Sequence, residues 1–325
     1  MFLAKNWVDY AVLDSSSGEK LERWGKYILR RPDPQVIWQN PKKNPLWKKC
    51  NGHYHRSKAG GGDWEFFDLP KQWKISYGLN GNPEQSLAFH LKPFAFKHTG
   101  LFPEQAANWD WFSEKIAEEK KRRLEKGDKT PIKVLNLFAY TGGATLAAAK
   151  AGAELTHVDA SKGMVQWAKE NAELSGLASA PIRYLVDDCV KFVEREIRRG
   201  NQYDGIIMDP PSYGRGPKGE IWKIEDSIYP FLQLSEKILK KDALFFLLNS
   251  YTTGLQPGVM AYMLKDLIQK SRGGIVDFPG SGLAHCRKQS GTALRLFRQM
   301  VSRGRTFLNR KLFVLFVRKN SLFFL

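Results

Sequence analysis

The chain has 325 residues, 42% hydrophobic and 26% charged, with a formal net charge of +18. That length can bury a sizeable core and suits two domains, and the composition belongs to a globular protein rather than a disordered or fibrous one. No apolar run approaches the ~18 residues of a membrane span, the first residues lack the sections of a signal peptide, and Cys50, Cys189 and Cys286 show no metal or redox spacing, so a cytoplasmic chain with reduced thiols and no metal is expected.

Residues 1–95 are rich in Trp, Gly and Pro, with turn signals at Gly60–Gly62 and Asn80-Gly81 between short alternating runs such as Trp64–Phe67 and Trp73–Tyr77. They predict a small β-rich domain. Residues 96–130 form a connecting segment and a helix, because Ala106, Trp109, Phe112 and Ile116 recur at helical spacing before a charged run and the break at Gly127 and Pro131. From 131 to 277 strands and helices alternate. Strands are expected at Lys133–Phe138, Leu155–Asp159, Ile182–Val186, Gly205–Asp209 and Ala243–Leu248, and helices at Gly143–Ala151, Ser161–Ser175, Cys189–Arg199 and Ser227–Lys240. Repeated units of this kind predict an α/β fold whose parallel sheet has helices on both faces and binds ligands at the carboxyl ends of its strands.

Residues 278–325 read differently. After Asp277 there is no Asp or Glu, while ten Lys and Arg follow, so removing this tail lowers the net charge from +18 to +8. A large positive charge suggests a polyanionic partner, but most of it belongs to the tail. A basic RNA-binding extension would produce such a run. A shifted reading frame would also produce it and is the favoured expectation, with Lys311–Val317 substituting as an edge strand of the sheet.

The residues with chemical potential gather at the strand ends. Asn136–Gly143 is a strand followed by a glycine turn, where Gly142 and Gly143 let a ligand approach the backbone. The sequence there has Ala144 where a dinucleotide fingerprint needs glycine, and no Gly-Lys-Ser/Thr of a phosphate loop. Asp159 ends the next strand, suited to accept both hydroxyls of a ribose or to cap the following helix. Asp187 and Asp188 follow the third strand, where one could accept an exocyclic amine of adenine or again cap a helix. Asp209-Pro210-Pro211-Ser212-Tyr213 is the most specific element, since paired prolines fix where carbonyls point just beyond a strand. Arg215 and Lys218 lie in the glycine-rich loop after it, suited to substrate phosphates or to simple solvation. Upstream, Lys97–Gln105 offers a cation, the Thr99 hydroxyl, a glycine turn and the Gln105 amide.

Five ordered motifs, Phe96–Gln105, Asn136–Gly142, Val158–Ser161, Asp187-Asp188 and Asp209–Gly214, resemble the class I S-adenosylmethionine (SAM) dependent methyltransferases related to the bacterial large-subunit ribosomal RNA cytosine-C5 and guanine-N7 enzymes. The likeness covers roughly residues 90–270. It implies a seven-stranded Rossmann-like class I methyltransferase sheet beside the smaller β-rich N-terminal domain, SAM as methyl donor, and RNA, ribosomal RNA first, as acceptor. It implies SAM contacts at Gln105, Phe138, Tyr140, Thr141, Gly142, Asp159, Ser161, Asp188 and Asp209. Thr99, Ala139, Gly143, Ala160, Asp187 and Cys189 complete the candidate cofactor set. Asp209, Pro210, Pro211, Ser212 and Tyr213 are the candidate catalytic residues, and Arg215 and Lys218 the substrate contacts. One departure bears on mechanism. Cytosine-C5 members use a cysteine after the fifth strand, where this chain reads Leu248-Asn249-Ser250-Tyr251. Cys189 is expected to serve packing or a backbone contact, so direct transfer without a cysteine adduct is the expectation. A small-molecule or protein methyltransferase, or a SAM-binding RNA-associated protein without turnover, are the alternatives.

Overall fold

The structure, a computed structural model, describes residues 2–57, 61–94, 97–252, 254–277, 281–283 and 313–318. The N-terminal part is β-rich. Strands β1 (Phe2–Ala4), β2 (Tyr10–Ser16), β3 (Glu19–Trp24), β4 (Tyr27–Pro32), β5 (Gly52–Arg56), β6 (Gly62–Phe66), β7 (Trp73–Gly78) and β8 (Ser86–Leu91) precede the first long helix. β2 to β6 form one sheet in chain order, antiparallel except where β4 meets β5, and β7 and β8 pair as a separate hairpin. A buried ion cluster ties this sheet to the segment that follows. Arg31 donates to both oxygens of Glu22 at 2.6 and 2.9 Å and to the Lys97 carbonyl at 2.9 Å.

Helix α1 (Ala106–Glu125) then leads into the alternating region: β9 (Lys133–Leu137), α2 (Gly143–Lys150), β10 (Glu154–Asp159), α3 (Lys162–Leu174), β11 (Ile182–Val186), α4 (Cys189–Arg199) and β12 (Gly205–Met208). A short hairpin of β13 (Tyr213–Arg215) and β14 (Ile221–Lys223) precedes α5 (Ile224–Lys237), β15 (Phe245–Ser250), α6 (Pro257–Leu264) and β16 (Ile275–Asp277). β17 (Ser281–Leu283) pairs with β1, and β18 (Phe313–Arg318) joins the main sheet. That sheet has seven strands in the order β11-β10-β9-β12-β15-β18-β16, and all its pairs are parallel.

Strands buried on both faces read as apolar runs rather than alternations. One face of the sheet, through Val134, Leu155, Ile207, Phe245 and Leu247, packs on Trp109, Phe112 and Ile116 of α1 and on Leu146 and Ala147 of α2. The other face, through Leu135, Leu137, Ile206, Met208 and Phe246, packs on Phe192 of α4, Phe231 of α5 and Leu264 of α6. The first of these clusters continues without a break into Tyr10, Trp24, Ile75, Tyr77 and Phe89 of the N-terminal strands. α1 is therefore a layer of the sheet as well as a connection. Burying ten or more large side chains per face, at ~1.5–3 kcal/mol each, outweighs any local propensity of these segments.

Two expectations need correction. The segment expected as an edge strand, Lys311–Val317, contributes Phe313–Arg318 between β15 and β16, so it is an interior strand and β16 is the edge. Parallel pairing on both sides suits a run of six residues with no internal proline or glycine. The loop after Asp209 is in part a β-hairpin, because Tyr213 pairs with Lys223 and Arg215 with Ile221. The rest of the tail, with the reading-frame expectation attached to it, lies outside the described residues, as does Phe96 of the first motif. Among the described residues no helix is long and apolar enough to cross a membrane.

Candidate active site

From β9 the chain moves outward one way to β10 and β11 and the other way to β12 and β15, so the sheet reverses its winding between β9 and β12. The loops at the carboxyl ends diverge at such a point and leave a crevice. A cavity of about 610 Å³ lies there, within the range of small-molecule sites. The turns after β9, β10, β12 and β15 line it, together with the start of α4 and the residues just before α1.

The turn after β9 is strained. Phe138 and Tyr140 both adopt positive φ, 54° and 52°, a region that side chains rarely enter. Three contacts hold them there. The Phe138 N–H donates to Cys189 Sγ at 3.4 Å, Ala139 N–H to the Val158 carbonyl at 3.1 Å, and Tyr140 N–H to Asp159 Oδ2 at 2.8 Å. Behind the turn, Asn136 donates to Thr145 Oγ1, which bonds His157 Nδ1, both at 2.9 Å, so β9, α2 and β10 are pinned by one buried chain of polar groups.

Asp159 uses each carboxylate oxygen once, the second accepting from Ser161 N–H at 2.9 Å. Each oxygen therefore keeps a lone pair for a ligand hydroxyl. Burial raises its pKa above the ordinary carboxylate value, and these two N–H groups oppose that rise. Asp188 caps α4 through its bond from Lys191 N–H at 2.9 Å, and with Asp159, Ala160 and Ser161 it also lines the cavity. Between these acids the wall is apolar, formed by Phe138, Cys189 and Val190. Burial pushes the Cys189 thiol pKa far up, which leaves a protonated, unreactive sulfur.

The opposite end is polar. Asp209 leaves β12 and accepts from the Gln105 amide at 3.3 Å. That amide also donates to the Tyr251 hydroxyl at 2.5 Å, and Asn108 donates to Gln105 Oε1 at 2.6 Å and to Asn249 Oδ1 at 3.2 Å. Tyr251 lies over the ring of Phe102, centroids 5.3 Å apart, and burial raises its phenol pKa. Trp222 of β14 donates its indole N–H to the Pro211 carbonyl at 2.7 Å and packs against Phe138 at 4.9 Å, closing the cavity from the hairpin side.

Gln105, Phe138, Ala139, Tyr140, Thr141, Gly143, Asp159, Ala160, Ser161, Asp188, Cys189, Asp209, Pro210, Pro211, Ser212 and Arg215 all face this cavity. Thr99, Gly142, Asp187, Tyr213 and Lys218 are not among its lining residues. Thr99 is fully buried, its carbonyl accepting from Lys92 N–H. Asp187 is turned away to pair with Arg195. Tyr213 is half exposed on the hairpin, and Lys218 lies in its turn. Packing supplies a further reason for the two glycines, of which Gly143 also lines the cavity. Gly142 has φ 87° and a Cβ there would lie 2.9 Å from Ala168 Cβ, while a Cβ on Gly143 would meet the Trp109 ring at 2.6 Å. Close packing of helices and the positive φ both require the bare backbone at Gly142. Of the other lining residues, His98 and Phe102 belong to the Phe96–Gln105 motif, whereas Trp109, Asn249, Tyr251 and Trp222 had no site role in the sequence. Only the position of Asn249 and Tyr251 at a strand exit could have pointed to them.

The donors fit an adenosine-bearing sulfonium ligand. Strand-end carboxylates offer acceptors for hydroxyl and amine groups, an apolar wall lies between them, and a polar network faces the far end. Comparison with known proteins agrees. A sequence model described as S-adenosylmethionine-dependent methyltransferase matches residues 83–254, more than half of the chain. The crystal structure of a SAM-dependent methyltransferase from Agrobacterium tumefaciens is 37% identical, superposes with a TM-score of 0.72, and is matched over 81% of this chain and 79% of that one. Ribosomal RNA large subunit methyltransferase K/L of Shewanella frigidimarina is 38% identical over 44% of this chain and 18% of its own length. Ribosomal RNA large subunit methyltransferase K of Neisseria meningitidis is 30% identical over 42% of this chain and 40% of its own. The chain thus spans less than half the length of these two curated relatives.

Proposed function

We propose RNA as the methyl acceptor of this chain, which belongs to the S-adenosylmethionine-dependent methyltransferase family. SAM is its cofactor and supplies a methyl group on a sulfonium, from which the neutral thioether is a good leaving group. The pair of strand-end acids, Asp159 and Asp209, facing one cavity from either side of the β9 turn, supports the cofactor and the transfer geometry. The names of the two curated relatives support an RNA acceptor.

In this reading Asp159 accepts the ribose hydroxyls, its orientation set by Tyr140 and Ser161 N–H. Asp188 accepts from the adenine edge, and Phe138, Cys189 and Val190 exclude water from the ring faces. Gln105, fixed by Asn108, orients Asp209. Asp209 and the Pro210 carbonyl accept hydrogen from the target nitrogen or oxygen, because the Pro211 carbonyl is already engaged by Trp222. Positioning does most of the catalytic work. Ser212, bonded to Thr252 at 2.7 Å, and Arg215 lie on the rim toward the incoming substrate. No cysteine stands in the Asn249–Tyr251 segment, and Cys189 is buried, so transfer is direct.

Mass spectrometry of ribosomal RNA from cells with and without the gene, paired with methyl transfer from labelled SAM in vitro, tests this. One missing methyl group in the deleted strain supports it. Transfer only to small molecules or protein, or SAM binding without transfer, would sink the RNA reading.

A further inference from the structure

A second concentration of ligating side chains lies on the five-stranded sheet, built by residues that the methyl-transfer chemistry does not use. His53 and His55 are two apart on β5, so both imidazoles leave the same face of the strand, and their ring centroids are 3.8 Å apart. β6 runs antiparallel beside them with Glu65 directly opposite His53. One donor atom from each of His53, His55 and Glu65 lies within 4.8 Å of the other two. Among the described residues this is the one group of His, Cys, Asp and Glu side chains with such spacing.

We propose that His53, His55 and Glu65 bind a divalent transition-metal ion, zinc being the one their donors suit best. Two imidazoles and a carboxylate form a borderline donor set, unlike the all-oxygen sets that hold calcium or magnesium. Three protein ligands leave a fourth position for water. The outer partner of the site is already in place. Glu19 Oε1 lies 2.8 Å from His53 Nε2, and Glu19 is itself held by Arg30 at 2.6 and 2.9 Å and by Lys42 at 2.6 Å. A fixed carboxylate behind a ligating histidine sets the ring orientation and leaves its other nitrogen for the metal. His55 Nε2 and Glu65 Oε2 are 2.7 Å apart, close enough to share a proton. An ion inserted between them would replace that proton and separate the atoms to about 3.3 Å, the spacing of tetrahedral ligands with ~2.0–2.1 Å bonds. Their side chains are 53% and 52% exposed, so the rim of the sheet has room for this shift.

An open path reaches the site. His53, His55 and Glu65 line a cleft of about 770 Å³ together with Arg30, Lys48 and Asp68. β6 is the outer strand of its sheet, so an ion bridging β5 and β6 would staple an edge that otherwise depends on one ladder of hydrogen bonds. The sequence offered no cue, since the histidines and the glutamate are ten or more positions apart and only the strand register joins them.

The test is calorimetric titration of the chelator-treated full-length chain with zinc chloride, alongside His55→Ala and Glu65→Gln, two half-exposed positions whose substitution spares the core. We expect one zinc per wild-type chain with micromolar or tighter affinity, at least a tenfold loss in each variant, and a rise in Tm with zinc for the wild type alone. Absence of saturable one-to-one binding, or wild-type affinity in either variant, overturns the site. Methyl-transfer activity is not the readout, so the outcome is independent of the acceptor.

Discussion

Gln105 and Asp209, 104 positions apart in sequence, meet at the inner end of the cavity, where the Gln105 amide donates to Asp209 Oδ2 at 3.3 Å. Through the same amide Gln105 reaches Tyr251, so the entry of α1 is joined to the exits of β12 and β15. Gln105→Glu replaces the donor by a carboxylate facing another carboxylate. Methyl transfer should fall by about 100-fold or more, as for loss of a preorganised polar contact at a reacting centre. Gln105→Ala should lose less. Circular dichroism should be unchanged for both, and a Gln105→Glu enzyme of full activity would remove the network from the mechanism.

Asp159→Ala should weaken SAM binding by about 1.5–3 kcal/mol, the worth of hydrogen bonds to a charged acceptor, or roughly 10- to 150-fold in Kd. The same change strips the Tyr140 and Ser161 N–H groups of their acceptor and loosens the strained turn. Asp159→Asn keeps one acceptor oxygen and should fall between. Titration with S-adenosylhomocysteine measures both.

The buried pair of Glu22 and Arg31 makes a stability prediction. Glu22 is fully buried, and burial alone would raise its pKa, yet Arg31 and Lys20 hold it well below the carboxylate range. Arg31→Met removes the hydrogen-bonded cation and leaves that charge with Lys20, 3.6 Å away, and should cost ~3–5 kcal/mol of unfolding free energy in a denaturant titration. Because Arg31 also holds the Lys97 carbonyl, SAM affinity should drop in the variant under conditions where it is still folded.

Acid sensitivity should come in two stages. Burial lowers the pKa of His157 from 6.5 to about 3. The unfolded chain therefore takes up a proton that the folded chain refuses, and stability is complete above pH 6.5 and declines as pH falls toward 3. Glu19 adds a second loss. Burial would raise its pKa, but hydrogen bonds from Arg30, Lys42 and His53 lower it from 4.5 to about 2. Its stabilisation is present above pH 4.5 and disappears as pH falls toward 2. A plot of Tm against pH should steepen below 4.5, and His157→Phe should flatten the stretch between 6.5 and 4.5. An unchanged slope there would contradict the assignment.

Cys189→Ala should retain methyl transfer within a few-fold, since the thiol is buried and accepts from Phe138 N–H. RNA containing 5-fluorocytosine should form no stable covalent complex with the wild type. A trapped complex lost in Cys189→Ala would reverse the view of this residue.

Periodicity and strand-exit chemistry were enough to read the alternating region. The apolar run Gly205–Met208 stops at Asp209, and Asp159 closes β10 in the same way at its carboxyl end. The α/β order and the acids of the cavity follow from local pattern, because a parallel strand buried on both faces is mostly apolar, with polar groups such as Asn136 and His157 admitted only where they are hydrogen-bonded. The tertiary structure decided what depends on pairing across long separations. It turned Asp187 toward Arg195 while leaving Asp188 at the cavity, a choice between neighbours that a strand-end pattern cannot make. It set Phe313–Arg318 inside the sheet, folded the loop after Asp209 into a hairpin that brings Trp222 onto Pro211, and gathered Gln105, Asn108, Asn249 and Tyr251 into one network. It also set His53, His55 and Glu65 side by side. Side-chain contacts of this kind are fixed by register and helix packing, whose free energy comes from the whole core and is written in no single segment.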